Sequence, residues 1–453
     1  MDQQELKFQR MTQPPVERLI CQLAVPCVIS MLVTSFYNMA DTFFVGKLHS
    51  NAATGAVGVV FSLQAIIQAI GFFFGQGSGN YISRALGRKD RDEAAHMAAT
   101  GFFSALVAGI FICVVGLTFL EPLAYLLGST ETILPHTKSY MSVILLGAPW
   151  MCASLVLNNQ LRLQGSASYA MVGITTGAVL NIVLDPIMIF FMDLGVAGAA
   201  WATIISQFVS FCLLIAGTHR GGNIAIRFRN FRFKGYYYAM IVKGGLPSLA
   251  RQSLASVATI ALNHAAGPYG DAAIAAMGVV QRITHFGASA MLGFGQGFQP
   301  VCGFNYGAKL YSRVKKGFWF CFKTSLVMLT LVAALGFAFA PRLISLFRDD
   351  PEVIAFGAAA LRFQCVTFPL QSWIVMSNMM EQAMGRTVPA TFLAVARQGL
   401  FFIPSVLILP LFLDAMGLQC AQSTADVLTL LCAVPIQLWV LKSLPKTDSP
   451  VKA

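Results

Sequence analysis

The sequence is short of charge. Only 11% of its 453 residues are Asp, Glu, Lys or Arg, while 56% are hydrophobic. A soluble domain carries about 25% charged residues. A chain with so few cannot coat a water-facing surface, so lipid is its natural solvent. Acid is the scarcer sign, with 19 acidic residues against 31 basic ones. Paired cysteines are missing too. The ten cysteines stand singly, none in a CxxC, and most lie in apolar runs, as Cys27, Cys113, Cys152 and Cys212 do. They read as small buried hydrophobes and signal neither a disulfide framework nor a zinc site. The six histidines are scattered, with no HExxH. No Walker A motif occurs, which argues against direct use of ATP; no cofactor is expected. The polar start MDQQELKFQR runs into an apolar stretch near Ile20 with no small-residue cleavage site. That pattern is expected of a retained helix rather than a signal peptide.

What is present is long apolar runs. A spanning helix needs about 20 mostly apolar residues. Twelve such helices are expected, near 18–46, 53–82, 94–120, 139–162, 168–192, 195–217, 244–267, 272–304, 316–340, 357–384, 389–412 and 417–441. Of the 31 basic residues, 22 fall in the tails and alternate loops, including Arg84, Arg88, Lys89 and Arg91, a central run from Arg220 to Lys243, and Lys309 to Lys316. Basic loops stay in the cytoplasm, which puts both termini there. The net charge of +12 thus orients the protein in a membrane, and no nucleic-acid partner is needed to explain it.

Shifted by 220 residues, the chain matches itself. The window from Asn51 to Asp90 holds 12 identities with its counterpart. Gly58-Val59-Val60 meets Gly278-Val279-Val280, and Phe74-Gly75-Gln76-Gly77 meets Phe294-Gly295-Gln296-Gly297. Gly87 and Lys89 meet Gly307 and Lys309. Further on, Pro149 meets Pro369, Asn158 meets Asn378, Gly165 meets Gly385 and Ala170 meets Ala390; Pro26 meets Pro247 with a one-residue shift. The expected architecture is an all-α membrane protein of twelve transmembrane helices in two six-helix lobes. An even number of helices in each half makes the repeat a parallel one. Residues 1–217 form the N-terminal lobe, 218–243 a basic cytoplasmic linker and 244–453 the C-terminal lobe. The Gly-Gln-Gly segments sit inside apolar helices, so they read as packing or bending positions and not as phosphate loops.

An ionisable group inside a bilayer is costly and is a site hypothesis by default. Asp41 lies in helix 1, within SFYNMADTFFVG, and Asp185 in helix 5, within VLNIVLDPIMIFF. At about 1.5 Å of rise per residue, Asp41 stands roughly 9 Å and Asp185 roughly 12 Å from the outer ends of their helices. Each has an amide on its own face: Asn38 three residues before Asp41, and Asn181 four before Asp185. Tyr37 lies four before Asp41. Two carboxylates close together in low dielectric do not both ionise cheaply. The pair makes a proton site, or a sodium site with the amide oxygens helping. The alternative is two independent structural acids. The counterparts of both in the second half are not acidic, and a scaffold requirement would be expected in both. Glu381, about one turn from the end of helix 10, reads as interfacial. Gln252, His264 and Arg251 in helix 7 are candidates for a cavity lining. Arg397 reads as a packing residue paired with a carbonyl or carboxylate. Asn158 and Asn378 recur in both lobes, so helix–helix hydrogen bonding is their default role; Asn158 is also a candidate neighbour of the acid site.

Several segments carry a family likeness: Leu23 to Pro26 (LAVP), Asn38 to Gly46 (NMADTFFVG), the two GQG segments with Leu86 to Asp90 (LGRKD), Asn158 to Gly165 (NNQLRLQG), Asn181 to Pro186 (NIVLDP) and Arg397 to Pro404 (RQGLFFIP). In this order, over some 400 residues, the chain resembles the multidrug and toxic compound extrusion (MATE) family, and its DinF/MepA-like branch. The resemblance implies twelve helices in two lobes, and efflux of cationic amphiphilic compounds driven by inward flow of protons or sodium ions. It implies that Asp41 and Asp185 are the acidic pair of the branch with its cation site in the N-terminal lobe. Tyr37, Asn158, Asn181 and Thr203 would be their polar neighbours, and Pro26 the proline at which helix 1 bends. Another branch carries acids in helices 7 and 8, where this sequence has none.

The expectation is therefore a secondary transporter and not an enzyme, a monomer in the bacterial inner membrane. It would export organic cations against H+ or Na+ by alternating access. The alternative is a flippase for a lipid-linked saccharide, whose anionic cargo would call on Arg251, Arg282 and Arg397.

Overall fold

The computed structural model describes residues 3–46 and 51–449, and no strand occurs among them. The bilayer explains why. It offers no hydrogen-bonding partner to the backbone, and a helix satisfies its own amides within one segment. In chain order the helices are α1 (Gln3–Thr12), α2 (Val16–Gly46), α3 (Asn51–Gly87), α4 (Arg91–Thr118), α5 (Leu120–Leu126), α6 (Leu134–Leu163), α7 (Ala167–Pro186) and α8 (Gly195–Thr218). They continue as α9 (Gly235–Ala266), α10 (Asp271–Gly307), α11 (Tyr311–Ala338), α12 (Ala340–Ser345), α13 (Pro351–Thr367), α14 (Gln371–Met384), α15 (Thr387–Val395) and α16 (Ile403–Ser443).

The twelve expected crossings map onto these helices. Nine described stretches are long and apolar enough to span a bilayer. The last of them, Thr387–Ser443, breaks at Asp414 (φ 49°, ψ −137°) and so supplies two crossings. The remaining two are α9 and α10, diluted by polar residues such as Arg251, Gln252, Gln281 and Arg282. The tenth crossing is two helices, α13 and α14, joined by a tight turn at Phe368–Leu370. Pro369 sits in that turn, where its missing N–H does no harm.

The repeat holds at the level of single dihedrals. Lys89 and Lys309 take positive φ, 61° and 60°, in equivalent turns, and Gly165 and Gly385 do so at 79° and 77°. The paired asparagines do the same job in each half. Asn158 Nδ2 donates to the Ala170 carbonyl at 3.4 Å, and Asn378 Nδ2 to the Ala390 carbonyl at 2.6 Å. Both bonds tie one crossing to the next, and their four residues stand 220 apart in the two halves.

Two compact units emerge. One comprises Met1–Gln13 and Ile29–Gly245, the other Pro14–Val28 and Leu246–Ala453. α2 and α9 each divide between them, close to Pro26 and Pro247, which lie inside the two helices. Thus the start of α2 packs in the second unit, where a Cβ on Gly297 or Gly293 of α10 would stand 2.5 Å from Ala24 Cα or 2.6 Å from Val28 Cα. The start of α9 packs in the first unit, where Gly77 of α3 lies against the Ile241 carbonyl. The second glycine of each Gly-Gln-Gly is therefore a point of backbone-to-backbone contact. α3 and α6 meet through a ladder of the same kind: Cβ atoms on Gly71, Gly75 and Gly79 would come within 2.7, 2.9 and 2.5 Å of Leu155, Asn159 and Leu163. Lipid tails are as apolar as leucine, so helices in a membrane associate by such close approach.

Within the first unit, residues between α8 and α9 form a loop with one 3-10 turn, Phe228–Asn230. It is fastened to α4, where Phe103 meets Phe228 edge-on at 5.2 Å and the His96 ring bonds the Asn230 carbonyl at 2.9 Å. The N-terminal α1 is fixed to the same unit. Lys7 donates to Ser166 Oγ at 3.1 Å and to Asn223 Oδ1 at 2.5 Å, and Lys89 pairs with Glu5 at 3.1 Å.

Candidate functional site

Asp185 lies at the end of α7 and is 0% exposed; Asn181 is 1% and Thr203 of α8 is 2% exposed. The local sequence sets this up. Gly177 lets the two helices approach until its Cβ would be 2.9 Å from Ser210 Cβ and 3.1 Å from the Ser206 carbonyl. Pro186 then denies the helix an N–H, and the chain continues through one wide π-turn, Ile187–Phe191. With its amide oriented to satisfy both neighbours, Asn181 donates from Nδ2 to Asp185 Oδ2 at 3.1 Å and accepts from the Thr203 backbone N–H at 3.2 Å. Thr203 Oγ1 donates to the Ala199 carbonyl at 3.0 Å. Asn181, Asp185 and Thr203 thus form one buried polar cluster between α7 and α8.

Asp41 falls in the last part of α2, and its side chain lies outside the described residues. On the same helix, Tyr37 is half-buried and Asn38 exposed, and Pro26 is buried. Asn158 lies on α6, its amide given to Ala170. Of the expected cavity residues, Gln252 is half-buried and His264 exposed, whereas Asn378 is buried and accepts from Arg251 Nη1 at 3.2 Å.

Two corrections to the reading of polar residues follow. Glu381 is not interfacial. It is 0% exposed, and neither carboxylate oxygen has a hydrogen-bond partner among the described residues. It does lie about one turn from the end of α14, but other helices flank α14 there and close it off laterally. The second correction concerns the number of buried acids, for Asp426 of α16 was overlooked. It is 1% exposed, and accepts from Arg397 Nε at 2.8 Å, from Gln371 Nε2 at 3.2 Å and from Gln422 Nε2 at 3.1 Å. The signal was there, since Gln422 precedes Asp426 by four residues, the spacing of Asn181 and Asp185. The first unit thus holds Asp185 with an amide, and the second Asp426 with two amides and a guanidinium. A carboxylate so paired carries its own countercharge.

The fold and the buried polar residues define a polytopic membrane protein built from two six-helix halves. The chain belongs to the MatE family, whose model matches it twice, at residues 26–187 and again at 247–408. The two matched stretches begin at Pro26 and Pro247. The chain is 27% identical over 414 residues to the multidrug export protein MepA of Staphylococcus saprophyticus, covering 91% of each chain. It is 26% identical over 423 residues to MepA of Staphylococcus aureus, covering 93% of each. Among solved structures it is similar to a MATE protein crystallised in complex with MaL6, with a TM-score of 0.92 and 26% identity over 97% of this chain and 99% of that one. It is also similar to an outward-facing multidrug resistance MATE transporter of the MOP superfamily, with a TM-score of 0.91 and 26% identity over 97% and 98%.

Proposed function

We propose that the protein is a multidrug exporter of the bacterial inner membrane, moving cationic amphiphilic compounds out of the cell in exchange for H+ or Na+. Export rests on the double match to the MatE family and on the multidrug export proteins similar to the chain over nine-tenths of its length. Coupling rests on one observation, the wholly buried Asp185 held by Asn181. A carboxylate there is expensive to leave charged, so a cation that neutralises it changes the local energy strongly. Asp41 on α2 is the second acid of the site, with Tyr37, Asn38, Asn158 and Thr203 around the pair. Pro26 is the bending point of α2.

Both termini lie in the cytoplasm, following the distribution of Lys and Arg. The cation enters from outside and binds the acids in the outward-facing state. The drug leaves, and the lobes, 1–217 and 244–453 joined by 218–243, return to the inward state. Exchange requires only that cation and drug favour different states. Gln252, His264 and Asn378 are candidates for the drug path. The protein acts as a monomer.

The rival reading is a flippase for an anionic lipid-linked saccharide. Two of the arginines it would call on are engaged elsewhere, Arg397 with Asp426 and Arg251 with Asn378. The test is Asp185→Asn and Asp41→Asn in proteoliposomes, with a fluorescent organic cation and an imposed pH or sodium gradient. Loss of gradient-driven transport with retained drug binding is expected. Wild-type transport by both variants would remove the acids from coupling.

A further inference from the structure

Glu381 is a carboxyl group that the proposed exchange cycle does not use. It lies in the last turn of α14, four residues after Ser377, and is sealed from solvent. The helix that carries it is rich in methionine. α14 also carries Met376, Met379, Met380 and Met384; the first two abut Gly295, and Met380 Sδ accepts from Gln437 Nε2 at 3.1 Å. Ser377 Oγ, one turn earlier on α14, and Gln437 Oε1 of α16 are, like both oxygens of Glu381, without hydrogen-bond partners among the described residues.

A buried carboxylate is tolerated when a cation or several donors meet it. No donor bonds its oxygens among the described residues. Arg386, just beyond the helix, is the cation whose charge acts on it, but it makes no hydrogen bond to the carboxylate and its guanidinium lies over the Trp439 ring at 5.6 Å. On α11, Arg313 donates to Asn305 and to the Pro14 carbonyl, each at 2.7 Å, Lys315 to the carbonyls of Leu444 and Pro445, each at 3.3 Å, and Lys316 pairs with Glu17 at 2.9 Å. Arg397 is held by Asp426, and Arg251 by Asn378. Arg282, Lys323 and Lys442, on α10, α11 and α16, are exposed. The acids of the same elements, Asp271, Asp414 and Asp426, make no described contact with it. Complete burial with no donor on either oxygen favours the neutral acid over the charged one.

We propose that Glu381 is a second proton-carrying site of the transporter, loaded as the neutral acid in this conformation. The step is a simple transfer. The carboxylate takes H+ from hydronium when repacking of the second unit exposes it to water, and returns H+ to water later in the cycle. The inference rests on the transporter reading above, and on that orientation the site lies toward the cytoplasm. A proton needs only the carboxylate itself, whereas a sodium ion would need several oxygen ligands.

The test compares wild type with Glu381→Gln, an isostere of the neutral acid, reconstituted in lipid near neutral pH. Glu381→Met, matched to the neighbouring methionines, serves if the first variant folds poorly. Infrared absorption in the protonated-carboxyl region should lose one carbonyl band in the variant. The number of protons exchanged per drug cation should fall, and its pH profile should shift, while transport continues. An unchanged infrared band overturns the proposal. A lost band with an unchanged proton count and pH profile also overturns it, since Glu381 would then be a permanently protonated structural acid. The infrared reading does not depend on Asp41 or Asp185, so failure of this proposal and failure of the coupling role are distinguishable.

Discussion

Arg397 reaches Asp426 from the preceding crossing, Nε to Oδ1 at 2.8 Å, and makes the one ion pair among the described residues that has a member almost wholly removed from solvent. Breaking a buried pair from one side costs about 3–5 kcal/mol, because the other charge is left uncompensated. Arg397 retains 24% side-chain exposure, which places it at the lower end of that range. Arg397→Gln and Asp426→Asn should each lower the thermal unfolding midpoint in detergent. The double variant should recover much of the loss, because no lone charge remains. Single variants as stable as wild type would show that the pair does not hold the unit together.

Close approach at glycine predicts a position-specific pattern. Gly297→Ala and Gly77→Ala add a methyl where the backbone of Ala24 or Ile241 already lies. Overpacking of this kind costs about 1–3 kcal/mol. Gly58→Ala and Gly278→Ala have nothing within 4 Å. They should be neutral, or more stable by up to about 1 kcal/mol through helix propensity. A thermal scan of the four variants checks the contrast. Equal effects at all four sites would argue against tight packing at the Gly-Gln-Gly segments.

The docking of α1 should depend on pH. Burial, with the charges of Arg10 and Arg91 adding to it, pushes the Lys7 ammonium down to about 7. An undocked lysine stays protonated to about pH 10.4. Between those values, undocking takes up a proton. Docking therefore strengthens as pH rises across that window and is weakest, and constant, below it. Protease cleavage within α1 should be slower near pH 9 than near pH 6, by about tenfold or more. Lys7→Met should abolish the difference, and a wild-type rate flat over this range, after correction for the protease's own pH profile, would refute it.

Much of the fold was legible because the bilayer imposes a coarse code. Apolar length marks the crossings, and the 220-residue register marks the halves down to shared turn conformations at Lys89 and Lys309. What stayed hidden was whatever depends on lateral packing. α13 and α14 read as one span because the turn at Pro369 is itself apolar. Asn181 and Asp185 were legible as a pair through helical spacing. Asp426 had the same spacing to Gln422, but its partner Arg397 comes from another crossing, and no pattern along the chain reveals which crossings touch. Glu381 failed for the same reason, because rise along an axis measures depth and says nothing of what flanks a helix there.

The split of α2 and α9 bears on how the molecule is made. Residues 14–28 leave the ribosome well before the glycines of α10 that receive them, Gly293 and Gly297, which follow more than 260 residues later. The first unit in turn stays incomplete until 235–245 arrive. The first half therefore cannot reach its final packing during its own synthesis. These contacts are far apart along the chain, and such contacts close slowly. The start of α2 must therefore wait, already within the membrane, for a partner that does not yet exist.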